Sequence, residues 1–263
     1  MTTSTRYPAL FVGHGSPMIA LADNALTDGF HAVAKSLIDA HGKPKAILMY
    51  SAHWVTPGTR TSYIDKPDQI YDMYGFPDEL YAVKYEPQGS PALAQEVVSI
   101  LGEDVVAFDR TWGIDHGTWT VLKHLFPEAD IPVIQVSLNM SLGAQGLYEQ
   151  GKALTRLRDE GILLIGSGNI VHNLGRLQYH LPEGGSPMAH AFAETVRDAV
   201  LARNDEKVIR YEEIEFSSYA APTPEHFWPL LPILGATQGE KATVFNDAYQ
   251  YGSLAMTSFN FER

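Results

Sequence analysis

Short apolar runs, stopped by glycine, serine or turn residues, recur between segments of helical periodicity along most of this chain. They lie near residues 9 to 12, 46 to 51, 104 to 108, 131 to 138 and 161 to 166, and alternate with helix-like stretches near 23 to 41, 90 to 102, 117 to 125 and 143 to 159. Runs this short and bounded this way read as buried strands, and their alternation with helices predicts βαβ units around a mostly parallel sheet. Ser90 and Pro91 suit the cap and first position of a helix, and Gly102 suits its C-terminal end. A further amphipathic helix is expected over 186 to 203, and β-rich sequence at 242 to 245 and 253 to 261 predicts added edge strands. The segment 56 to 89, rich in Pro, Gly, Asp and Tyr, reads as a long loop with short strands, a length at which loops are often functional. No linker, internal repeat or low-complexity tract divides the chain. The expected fold is α/β, a single catalytic domain over residues 1–263, with a central mostly parallel or mixed sheet flanked by helices.

Composition narrows the chemistry. With 45% hydrophobic and 19% charged residues, the 263-residue chain has ample material for a core and lies well outside the disordered regime. A net charge of -12 makes nucleic acid and anionic membrane surfaces poor partners. Cysteine is absent, so disulfides, zinc-thiolate sites and thiol nucleophiles are excluded, and a transition metal would have to be held by His, Asp or Glu. The stretch from Met1 to Tyr7 lacks the features of a signal peptide, and no apolar run approaches the roughly 20 residues needed to span a bilayer, so a cytoplasmic location is expected.

Three of the ten histidines stand just past apolar runs. His14 follows Leu10-Phe11-Val12-Gly13, His53 follows Ile47-Leu48-Met49-Tyr50-Ser51-Ala52, and His172 comes shortly after Ile162-Leu163-Leu164-Ile165-Gly166-Ser167-Gly168-Asn169. In open α/β sheets the ligand crevice lies beyond the carboxyl ends of the strands, so these imidazoles can converge on one point as a metal site. A single buried histidine is ordinarily a hydrogen-bonded core residue; three in one context, each with small or polar neighbours, argue otherwise. His226, in Pro222-Thr223-Pro224-Glu225-His226-Phe227, is expected at a helix N-terminus capped by Thr223 and opened by Pro224, where a ligand role and a capping role stand even. His116, in Trp112-Gly113-Ile114-Asp115-His116-Gly117-Thr118-Trp119, suits either a substrate hydrogen bond or a pairing with Asp115. His31, His41, His124, His180 and His190 read as surface or structural residues. Trp54, Trp119, Tyr74 and Phe227 can pack on an aromatic ring, though core packing is the ordinary role for each. The glycine-rich stretches around His14 and Ser167 match neither the Walker lysine pattern nor the dinucleotide fingerprint, and neither Ser16 nor Ser167 lies in a Gly-x-Ser-x-Gly elbow.

Taken in order, Gly13-His14-Gly15-Ser16-Pro17, Ser51-Ala52-His53-Trp54, Asp115-His116-Gly117-Thr118-Trp119, Gly168-Asn169-Ile170-Val171-His172-Asn173-Leu174 and Thr223-Pro224-Glu225-His226 resemble the class III extradiol ring-cleavage dioxygenases. Within that protocatechuate 4,5-dioxygenase catalytic-subunit superfamily they are most similar to the 4,5-DOPA dioxygenase branch. The resemblance implies that His14, His53 and His226 hold one divalent non-haem metal ion, that His172 acts as acid/base or as a further metal contact, and that His116 lines the substrate side. The wider superfamily often has a glutamate as third ligand, and Glu225 stands beside His226; the DOPA branch places histidine there. The implied reaction is 4,5-extradiol opening of a catechol such as L-DOPA by O2, with Fe(II) as the catalytic metal. A histidine site also binds zinc readily, because zinc exceeds iron(II) in the usual affinity order.

Two other functions fit parts of the pattern. One is a zinc-dependent hydrolase of a small amide or ester, which would consume no oxygen. The other is a non-enzymatic interaction protein like the Memo family, similar in fold, which would need neither His172 nor His116. The expected partners are a small-molecule catechol and O2, without nucleic acid or membrane, and the sequence leaves the oligomeric state open.

Overall fold

The computed structural model describes residues 6–263. Its main sheet has six strands: β1 (Ala9–Gly13), β2 (Ala46–Ser51), β3 (Val133–Gln135), β4 (Ile162–Gly168), β5 (Lys241–Phe245) and β6 (Ser258–Glu262). They lie side by side in the order β3-β2-β4-β1-β6-β5. From β3 to β1 the pairing is parallel, whereas β6 runs antiparallel to β1 and β5 antiparallel to β6, giving a mixed α/β sheet.

Side chains on successive strand residues point to opposite faces, and here both faces are covered. Ala9, Phe11, Ala46, Leu48, Tyr50, Ile162 and Leu164 join one core with helices α2 (Pro91–Leu101), α4 (Gly143–Ala153), α5 (Pro187–Leu201) and α6 (Leu230–Ala236). Leu10, Val12, Ile47, Met49, Leu163 and Ile165 join the other core with α1 (Ala25–His41) and α3 (His116–Leu125). This two-sided burial is why the strands read as continuous apolar runs rather than as alternating patterns. Helix ends follow local chemistry: Asn24 caps α1 in a reciprocal capping box with Thr27, and Ser90 caps α2 with Pro91 at its first turn.

Several expectations are corrected. The run near 104 to 108 does form a strand, Val106–Asp109, but it pairs with Thr59–Ser62 in a separate two-stranded sheet. The run at 131 to 138 divides into β3 and Leu138–Asn139, the latter pairing with Val55–Thr56. The helical stretch at 143 to 159 is broken at Leu154 into α4 and a short helix, Thr155–Asp159. Of the two C-terminal strands only β5 is an edge; β6 lies inside, bonded to β1 on one side and β5 on the other. Segment 56 to 89 holds short strands and a single-turn helix, Asp78–Tyr81, in an otherwise irregular path. Among the described residues no helix is long and apolar enough to cross a membrane.

Candidate metal centre

Strands β2, β4 and β1 are neighbours, and their carboxyl ends are level: Ser51 pairs with Ser167, and Gly13 pairs with Gly168. His14 therefore leaves β1, and His53 leaves β2, on either side of β4. Their Nε2 atoms face each other across 3.3 Å. Two imidazoles bound to one ion at about 2.0–2.1 Å with a tetrahedral angle would hold their nitrogens at roughly this separation.

His226 arrives differently from expectation. Thr223 and Pro224 do not open a helix; residues 221 to 229 form bends and turns, with Phe227 and Trp228 N–H both donating to Pro224 O, and α6 begins only at Leu230. The hydroxyl of Thr223 donates to Glu225 Oε1 instead of capping backbone. This turn is pressed onto the end of β4, where Asn169 N–H donates to His226 O at 2.8 Å. Glycine permits the approach: a Cβ on Gly168 would stand 2.1 Å from His226 O, and one on Gly166 would stand 2.2 Å from Pro229 O. We expect Gly168→Ala to push His226 away and lower metal affinity by at least about tenfold, as loss of a ligand-orienting contact does; chelator competition on the folded variant checks it.

The helix N-terminus at the site belongs to His116. Asp115 caps α3 by accepting from Thr118 N–H, and His116 is the first helical residue. Gly117 follows because a Cβ there would come within 2.7 Å of both His53 Cδ2 and Ser51 Oγ. His172 follows β4, with its N–H donating to Ala220 O, and its ring stacks on that of His226 at 3.5 Å between centroids and 5° between planes.

Ring geometry separates the five histidines. The centroids of His14, His53 and His226 form a nearly equilateral triangle with sides of 5.2, 5.3 and 5.2 Å. Three imidazoles sharing one tetrahedral ion through one nitrogen each sit roughly 5 Å apart by this measure. Donor atoms of His14, His53 and His116 also lie within 4.8 Å of one another. The His116 ring, however, is 3.8 Å from His53 and 6.0 Å from His14, a lopsided placement that puts it alongside His53. Parallel stacking likewise keeps His172 beside His226, since two rings lying flat on each other cannot both point at a common ion.

Hydrogen bonds set which nitrogen is free. The Ser167 hydroxyl donates its one hydrogen to Gly117 O, so it must accept from His14 Nδ1–H, 2.9 Å away, and His14 Nε2 keeps a lone pair. His226 Nδ1 lies 3.2 Å from Glu225 Oε1, so the carboxylate accepts from Nδ1–H and again leaves Nε2 free. Glu225 thus faces the back of the His226 ring. Asp72, from the long loop, lies on the Nδ1 side of two rings at once, 3.3 Å from His53 and 2.9 Å from His116. A carboxylate or hydroxyl behind each imidazole is the usual support of a metal-binding histidine.

Burial and mutual repulsion hold His14, His53, His172 and His226 neutral. Burial first, and then the neighbouring histidines, push His14 and His226 well below the ordinary histidine value. Burial, followed by His116, takes His53 down to about 3, and burial takes His172 down to about 4, with Glu225 opposing. Burial alone would raise Asp72, but its contacts with His116 and its attraction to His116 and His53 bring it below the usual carboxylate range. Asp115, fully buried, is raised by burial and by Asp72. In the unfolded chain these histidines bind protons near 6.5, whereas in the folded state His53 and His172 do so only near 3 and 4. The unfolded state then holds more protons, so stability rises with pH across that interval. The metal-free protein is expected to melt progressively lower as the pH falls below about 6.5, and a flat series of melts between neutral and acid buffers would contradict this.

The other singled-out residues are accounted for. Trp54 stacks on Trp112, Trp119 donates to Ile70 O from the core, and Phe227 stacks on Tyr211, so all three are packing residues, whereas Tyr74 is 92% exposed. His124 is structural, its Nε2 2.7 Å from Ile19 O. Ser16 caps the short 3-10 helix Pro17–Leu21. Asp72 has no signal in the sequence beyond an acidic residue in a polar loop.

An α/β sheet whose central strands deliver a histidine cluster to their carboxyl ends defines a metal-binding enzyme of the open-sheet type. Comparison makes the class specific: the chain belongs to the family described as the catalytic LigB subunit of aromatic ring-opening dioxygenase, whose pattern matches residues 8–262. It is 42% identical to the 4,5-DOPA dioxygenase extradiol of Escherichia coli (strain K12) over 97% of this chain and 95% of that protein. To the 4,5-DOPA dioxygenase extradiol of Beta vulgaris it is 38% identical, over 95% of each chain. A crystal structure of an uncharacterized Escherichia coli K12 protein superposes with a TM-score of 0.83 at 38% identity, covering 97% of this chain and 99% of that one. Family membership makes this chain a ring-opening dioxygenase with a non-haem metal and sets aside the hydrolase and adaptor readings.

Proposed function

We propose that this enzyme opens a catechol ring beside its diol, with L-DOPA as the representative substrate and 4,5-cleavage as the regiochemistry. The observation that carries the reading is the triangle of His14, His53 and His226, with free Nε2 atoms on at least two of its rings and an oxygen atom behind each. In this reading those three hold the ion, and Glu225 orients His226 rather than binding metal itself. Three ligands on one side leave coordination positions open, which suits an oxygenase better than a closed structural site. When bound, Fe(II) supplies the Lewis-acid and redox chemistry of the reaction. The chain's residues then bind, orient and move protons.

His172 is the acid/base. Burial keeps it neutral at physiological pH, so it can accept a hydroxyl proton from the catechol and return it later in the cycle. Its stack on His226 sets it within one ring's thickness of the triangle, close enough to act on a substrate held there. His116 lines the substrate side, where its buried ring at the start of α3 can orient the diol. The donor set also accommodates zinc, so metal content in a purified sample does not identify the working metal.

The test is anaerobic reconstitution of metal-free protein with Fe(II), addition of L-DOPA and then air, following oxygen uptake together with a yellow product. Uptake and colour that both require Fe(II) support the reading. Stoichiometric metal binding without uptake on L-DOPA or a panel of simpler catechols defeats it.

A further inference from the structure

The carboxylate of Asp72 touches two of the site's histidines from the side away from the reacting centre. Oδ2 is 3.3 Å from His53 Nδ1, and Oδ1 is 2.9 Å from His116 Nδ1 while accepting the His116 backbone N–H at 2.8 Å. The two imidazoles pack at 3.8 Å between centroids, so one carboxylate spans a pair of adjacent rings. Among the described residues, no other carboxylate has an ion-pair distance to either ring.

Asp72 is held there by its loop. Ile70 N–H donates to Ile114 O at 2.7 Å, Ile114 N–H donates to Asp68 O at 2.8 Å, and Trp119 Nε1–H donates to Ile70 O at 3.0 Å. The approach needs glycine at Gly113, where a Cβ would lie 1.9 Å from Asp68 O. The loop is thereby stitched to the segment that launches α3, and Asp72 is delivered to the end of β2 as a consequence.

A carboxylate accepts only, so opposite an imidazole Nδ1 it favours the Nδ1–H tautomer and leaves Nε2 as a lone pair. For His53 that lone pair faces the His14 nitrogen. For His116 the carboxylate lies 2.9 Å from Nδ1 but off the hydrogen-bond line, so it acts there through its charge, which favours a proton on Nδ1 and leaves Nε2 able to accept from a substrate hydroxyl. We infer that Asp72 is a positioning residue that locks His53 and His116 into one unit, so that a single carboxylate sets both the metal-facing and the substrate-facing nitrogen. The inference rests on the reading that His53 holds the metal.

The experiment compares wild type, Asp72→Asn and His53→Ala by chelator competition with Zn(II) and with Co(II), whose visible spectrum reports ligand geometry, alongside melting of the metal-free proteins. Asparagine keeps the shape but can present its amide N–H to one ring, where it opposes the Nδ1–H tautomer. Asp72→Asn should bind metal about 10- to 100-fold more weakly, the usual effect of losing such a support. Its Co(II) spectrum should shift, and its metal-free melting temperature should stay at the wild-type value. Wild-type affinity in Asp72→Asn, with affinity lost in His53→Ala, overturns the inference while leaving the metal site intact. Wild-type affinity in His53→Ala overturns the metal-site reading itself. A drop in metal-free melting temperature without a change in the Co(II) spectrum also overturns the inference, assigning Asp72 to the fold alone.

Discussion

Replacing His14 by alanine is expected to abolish metal binding and with it turnover, the largest functional loss any single substitution in this chain should produce. His14 is 1% exposed, opposes His53 across 3.3 Å and shares the triangle with His226, so its removal takes one corner from the set and strands Ser167 Oγ without its donor. Elemental analysis of the purified, folded variant should find no stoichiometric metal. His172→Ala is the matched control. Stacked on His226 but outside the triangle, it should keep its metal while turnover falls by about 10²–10⁴-fold, the range that proton transfer by a positioned side chain contributes. Full turnover in His14→Ala, or loss of metal in His172→Ala, would each reject the assignment of roles.

The second large effect concerns stability, at the opposite end of the sheet. Arg158 is 0% and Glu240 3% exposed, and the two form a buried ion pair through both guanidinium nitrogens. Arg158 also donates to Tyr7 O and Ala236 O, tying the chain before β1 to the end of α6. Burial already pulls its guanidinium below the ordinary value, with Glu240 opposing the shift. Glu240→Ala removes that opposition and leaves a buried charge unpaired, at a cost of about 3–5 kcal/mol. For a chain of this size that lowers the melting temperature by on the order of 10 °C. The histidine cluster lies at the other ends of the strands, so metal affinity at a temperature where the variant is folded should not change. Arg158→Met combined with Glu240→Leu should recover much of the loss, because a packed apolar pair can replace a buried ion pair at little net cost. A melting temperature for Glu240→Ala within a degree or two of wild type would show that the pair contributes far less than its burial implies.

What the chain made legible was written in local pattern. Strands β1, β2 and β4 showed as apolar runs because they are buried on both faces, and His14 and His53 read as candidate site residues because each comes within two residues of a strand's last position. The order of motifs was enough to place the chain in its family, since five short segments occur in one sequence. Other features depended on contacts that no local window contains. The turn bearing His226 is positioned by the absence of side chains on Gly166 and Gly168, and the Thr223-Pro224 pattern that suggests a helix start yields instead to packing against β4. Asp72 reaches His116 across 44 positions through a loop without periodicity, and Arg158 meets Glu240 across 82, so that a pair resembling ordinary surface charge is buried. Strand β6 lies between β1 and β5, pairing Phe11 with Phe259 from the far end of the chain on one side and its near neighbour β5 on the other, a pairing settled by the sheet as a whole. Periodicity and turn chemistry act over a few residues and are carried by the sequence itself; burial of charge, choice of strand partner and convergence of side chains are collective outcomes of packing, and these only the tertiary structure decided.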